Sequence, residues 1–163
     1  ITLATVPLTI WMALLFYIIG ELGRARQPIK AWARPIWLLG CGCYVMHVVS
    51  AFGLHHNWSH TEALAYTASQ TKSMFAVETG AGLWVNYIFT ALWIIEGTWS
   101  RRWNSTSTIN QSRWTFVVRA FFLFMIINGA IVFVDGPQRW LGVAGVTALI
   151  LIWKLGTRTT KCN

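Results

Sequence analysis

Residues 35–54 read PIWLLGCGCYVMHVVSAFGL, twenty positions without a single Asp, Glu, Lys or Arg, entered from Arg34 and left through His55 and His56. An α-helix of that length rises about 30 Å, which is the thickness of a bilayer's hydrocarbon core. This run is therefore read as a transmembrane helix. Working outward finds four more of the same kind. Thr2–Gly20 precedes it, and Gly82–Gly97, Phe116–Val134 and Trp140–Leu155 follow. The expectation is an all-α protein, a polytopic transmembrane bundle of about five spans that makes residues 1–163 one integral membrane domain.

The bulk composition agrees with that reading. Hydrophobic residues make up 55% and charged residues 11% of the chain, and mean hydropathy is +0.50. A soluble domain carries about 25% charged residues. A soluble globule, a disordered tail and a nucleic-acid-binding module are all excluded, and the net charge of +8 has to be explained by where the cations fall.

They fall between the apolar runs, and on alternate sides. The first connection holds Arg24, Arg26, Lys30 and Arg34, the third holds Arg101, Arg102 and Arg113 with Arg119 just inside the next span, and the tail holds Lys154, Arg158 and Lys161. Those are eleven of thirteen cations; the second and fourth connections keep Lys72 and Arg139. Basic residues are retained on the cytoplasmic face, so an odd number of spans with this alternation places the N-terminus outside and the C-terminus inside. The expected location is a bacterial inner (plasma) membrane.

Tryptophan supplies a second, independent signal, because indole favours the headgroup level. Trp32, Trp37, Trp99, Trp103, Trp114 and Trp153 map to the inner boundary, Trp58, Trp84 and Trp140 to the outer one, and only Trp11 and Trp93 lie deeper. The first span lacks a preceding basic segment and is not read as a cleavable signal; the chain begins with Ile, so its true start is expected to lie upstream. Cys41, Cys43 and Cys162 map to the cytoplasmic half, where thiols stay reduced.

Helices in lipid associate through small residues and buried polar contacts. Gly40, Cys43, Ser50 and Ala51 in the second span, and Gly142, Gly145 and Ala148 in the fifth, form such stripes. Asp135 to Arg139 is read as a tight Gly-Pro turn between the last two spans. On the outer side, Ser59 followed by Glu62 is a capping box. It predicts a helix over about residues 60–78, stopped near Gly80, that rests on the bundle through Leu64, Ala68, Thr71 and Phe75.

All four histidines lie between positions 47 and 60. By helical rise His47, Asn86 and Asn128 share one layer in the outer leaflet, where polar groups usually face the bundle interior. His47 and Asn86 are candidate cofactor-binding residues, and His56, His60 and Glu62 candidate metal ligands, for a transition metal or a haem. Against this, His47 can simply bond Asn86 or Tyr87, and HxxxH at His56 is a common pattern. Glu96 and Arg119, at comparable inner depth, are expected to form a structural ion pair. No P-loop, dinucleotide turn or nucleophile elbow occurs, so no catalytic residue is assigned.

Three functions follow as expectations. The first is a non-enzymatic subunit that packs with membrane-protein partners, or with copies of itself, in a larger and energy-converting assembly. The second is an outward-facing histidine site for metal, haem or quinone chemistry. The third is a small transporter or proton-path component, although five spans in 163 residues leave little room for an independent pathway.

Overall fold

The computed structural model describes residues 5–26, 29–99, 103 and 109–159. Six α-helices follow one another: α1 (Thr5–Arg24), α2 (Ala33–His55), α3 (His60–Phe75), α4 (Ala81–Thr98), α5 (Ile109–Ile127) and α6 (Gln138–Thr159). There is no strand among the described residues. Four helical stretches are long and apolar enough to cross a membrane: Thr5–Arg24, Ala33–His55, Arg113–Val132 and Gln138–Gly156. Helix α4, the third expected span, falls outside that set. Trp84, Asn86, Tyr87, Trp93 and Glu96 lower its mean hydropathy. Arg101, Arg102, Lys161 and Cys162, and the first residues of the first span, lie outside the described residues.

The α1–α2 pair is the foundation of the bundle. Small residues let the two backbones approach: a Cβ at Gly20 would lie 2.7 Å from Trp37 Cβ, and one at Gly40 would lie 3.1 Å from the Ala13 oxygen. Gly40 of the expected stripe thus meets α1, and Gly20 on the facing helix supplies the complementary gap. Between them sits an aromatic core. Tyr17, Trp37, Tyr44, Phe89, Trp93 and Phe122, from α1, α2, α4 and α5, are all buried. Their centroids stand 4.6 Å (Phe89 to Phe122) to 6.1 Å (Tyr17 to Trp37) apart, in the edge-on and offset arrangements that the ring quadrupole favours.

Trp37 is fully buried and Trp103 nearly so, at 0% and 8% exposure. Their rings belong to the core, not to a headgroup belt. Position along the chain puts an indole near a helix end, but the helix face decides whether it meets lipid.

Helix α3 starts where its capping box requires: the Ser59 hydroxyl accepts the Glu62 backbone N–H at 3.2 Å. It ends at Phe75, earlier than Glu78, because Ala76 turns left-handed (φ 56°) and donates its N–H to the Lys72 carbonyl. Ala63 is buried and a Cβ at Gly80 would run into Leu64, so α3 rests against the start of α4. The Phe75 side chain lies outside the described atoms.

At its far end α5 loosens into one π-helical turn, Asn128–Val132, closed by Phe133 N–H to the Asn128 carbonyl at 2.9 Å. Residue 136 takes φ +79°, which glycine tolerates without strain. The chain then turns directly into α6, whose Gly142 packs on the Ala130 carbonyl. Arg139 closes the turn on Asp135 at 3.5 Å and on the Val134 carbonyl at 3.0 Å.

Candidate functional site

The polar centre of the molecule lies at the basic end of the bundle, not at its histidine end. Helix α1 contributes Glu21 and Arg24, one turn apart and both facing inward, at 0% and 7% exposure. Helix α4 contributes Glu96, also buried. Helix α5 brings Arg119 and Trp114, α6 brings Trp153, and Trp103 comes from the connection between α4 and α5.

Every oxygen of the two carboxylates receives a donor. Glu21 Oε1 accepts Arg24 Nη1 at 3.2 Å, while Glu21 Oε2 accepts Arg119 Nε at 2.8 Å and Trp153 Nε1 at 2.7 Å. Glu96 Oε2 accepts Arg24 Nη2 at 3.1 Å, and Glu96 Oε1 accepts Trp114 Nε1 at 2.6 Å. Trp103 Nε1 donates to the Glu96 backbone oxygen at 3.0 Å. The guanidiniums also stack on indoles, Arg24 over Trp103 at 5.0 Å and Arg119 over Trp153 at 5.3 Å, where the ring face attracts a cation.

Such pairs survive burial only when geometry is good and the remaining lone pairs are satisfied, which is the case here. Arg34 ties α2 to the same end. Its Nε and Nη2 donate to the last carbonyls of α4, Gly97 at 3.0 Å and Thr98 at 2.9 Å. One connected set of charged groups thus holds α1, α2, α4, α5 and α6 together.

Glu96 and Arg119, expected as a pair, both enter this cluster. The bond to Arg119 is made by Glu21, and Glu96 takes Arg24. Glu21 escapes a reading by apolar runs because it stands just past Gly20, where the first run ends, and Arg24 was counted with the loop cations. The signal was nonetheless there: a Glu and an Arg three apart occupy one helical face.

At the other end the candidate ligands part company. The His47 Nδ1 lies 2.9 Å from the Val6 carbonyl of α1, and its ring tilts against Tyr44. Tyr44 hydroxyl donates to Asn86 Oδ1 at 3.4 Å, so His47 and Asn86 are neighbours of one tyrosine rather than of each other. Asn128 turns back onto its own helix, donating to Phe124 O at 2.8 Å.

His56 packs by Tyr66 at 5.2 Å, whereas His60 lies 3.2 Å from the Tyr87 hydroxyl and stacks on that ring. Glu62 is used through its backbone at the α3 cap. Among the described residues no three His, Cys, Asp or Glu side chains come together in a group able to hold a metal ion. What the site can do chemically is hold helices in register: its charges are neutralised within the protein. Compared with known protein families, with characterised proteins and with solved structures, the chain matches none.

Proposed function

We propose that the chain is a non-catalytic subunit of a larger membrane assembly, a five-span protein of a bacterial inner membrane with its N-terminus outside and its C-terminus in the cytoplasm. In this reading α4 is the fifth span. Its eighteen residues rise about 27 Å at 1.5 Å each, close to the hydrocarbon thickness, and its charge, Glu96, is matched by Arg24.

The observation that carries the proposal is Asn86. It stands on the inward stripe of α4 with the buried Leu83, Phe89 and Trp93, roughly 8 Å inside the helix at 1.5 Å per residue, and is nonetheless exposed. Its amide nitrogen meets no acceptor among the described residues. Trp84, Ile88 and Ile95, exposed at 56%, 61% and 49%, lie on the opposite face and do not cover it. A polar amide at such depth is costly against lipid and is satisfied across a helix–helix contact. A neighbouring helix supplies the missing acceptor.

The test is a photo-reactive residue at Thr90, one turn from Asn86 on the same face of α4, in native membranes. An adduct with a different polypeptide, lost in the Asn86→Leu variant, is the expected outcome. An adduct only with lipid, or only with a second copy of the chain, removes the proposal of a mixed assembly.

A further inference from the structure

We infer that the basic end of the bundle carries a binding site for the phosphate of an anionic phospholipid, built from Arg26, Lys30 and Arg34 around Trp32. The fold separates charge between its two ends. Among the described side chains the basic end holds Arg24, Arg26, Lys30, Arg34, Arg113, Arg119 and Lys154 with two carboxylates, Glu21 and Glu96; the opposite end holds Lys72 and Arg139 with Glu62, Glu78 and Asp135. Both carboxylates of the basic end are buried and bonded to Arg24 and Arg119. No further side-chain carboxylate among the described residues lies on that side for the cations of the α1–α2 connection.

The described residues of the connection are tied to the helix ends. The N–H groups of Arg26 and Lys30 both donate to the Gly23 carbonyl, at 3.4 Å and 3.2 Å, and Ala33 N–H donates to the Lys30 carbonyl at 2.9 Å. This fold-back holds Arg26 and Lys30 together beside the first turn of α2, and both are exposed. Arg34 follows in that first turn, its guanidinium anchored on the end of α4. Trp32 lies with its ring edge against Gly23 and is 42% exposed.

Guanidinium and ammonium groups donate charge-assisted hydrogen bonds to phosphate oxygens, and basic clusters between helix ends recognise lipid headgroups. A lipid, rather than free phosphate, is the ligand chosen because an indole at headgroup level accompanies the cations. Leu22 and Leu39, exposed at 39% and 56% on the same two helices, offer apolar surface for acyl chains. The inference rests on the membrane-spanning reading but not on which side faces the cytoplasm.

The full chain is reconstituted in nanodiscs containing equal amounts of phosphatidylcholine and phosphatidylglycerol, then released for native mass spectrometry. The parent is expected to retain phosphatidylglycerol in preference. Arg26→Gln with Lys30→Gln is expected to weaken that retention about tenfold, while Lys72→Gln with Arg139→Gln, at the other end, leaves it unchanged. Arg26→Lys with Lys30→Arg keeps the charges and is expected to keep the lipid, which separates loss of the site from loss of the fold.

Equal retention by the parent and the neutralised variant overturns the site. So does equal loss in both neutralised variants, which marks general attraction to charge, or displacement by millimolar inorganic phosphate, which marks an anion site without lipid. A parent that fails to enter the nanodisc overturns the membrane-spanning reading instead.

Discussion

Glu21 is the residue on which most of the polar interior turns. It is fully buried and receives Arg24, Arg119 and Trp153, so removing its charge leaves two guanidiniums short of a partner in a water-poor site. Breaking a buried pair from one side costs about 3–5 kcal/mol. Glu21→Gln is expected to lower the thermal midpoint in detergent accordingly. Adding Arg119→Gln to that variant is expected to cost less than the sum of the two single changes, because the residues share one interaction. Strict additivity would show that the contact contributes nothing. By contrast, three of the four histidines, the most conspicuous residues of the chain, each meet a neighbour of their own: a carbonyl for His47, tyrosines for His56 and His60. Residue type and clustering in sequence made them visible; the directions of their side chains, which sequence does not carry, sent them to different partners.

Among the elements, the junction of α5 and α6 shows how one missing side chain sets a packing distance. Gly142 lies on the carbonyl of Ala130 in the π-helical turn, whereas Gly129 in that same turn has open space around it. Gly142→Ala is therefore expected to destabilise by about 1–3 kcal/mol, as inserted atoms do in a packed contact. Gly129→Ala is expected to be neutral or slightly stabilising, since alanine is the better helix former. Comparing the two melting curves checks the contrast, and equal shifts would contradict the contact. The small-residue stripe in the last span was legible before any coordinates, as was the Ser59 cap of α3. The π turn was not: it adds one residue per turn to an unbroken apolar run, and hydropathy is blind to that. The early stop of α3 at Ala76 was equally hidden, because alanine carries no turn signature.

For the molecule as a whole, the separation of charge between the two ends is the largest organising feature, and it sets the orientation prediction. In a chain with its native cysteines replaced, Ser69→Cys is expected to react with a membrane-impermeant maleimide on intact cells. Arg26→Cys is expected to react only after permeabilisation. The reverse pattern would invert the proposed orientation. That the described residues are helical, with stretches apolar enough for a membrane, followed from the order of residues alone, because those properties depend on hydropathy and length along the chain. Which carboxylate meets which arginine, which tryptophans turn inward, and that Glu96 of α4 is buried against Arg24 were decided only when the helices met. Arg24 meets Glu96, and Arg119 meets Glu21, across 72 and 98 positions of sequence, and the strength of such contacts depends on side-chain direction and excluded water rather than on any local pattern.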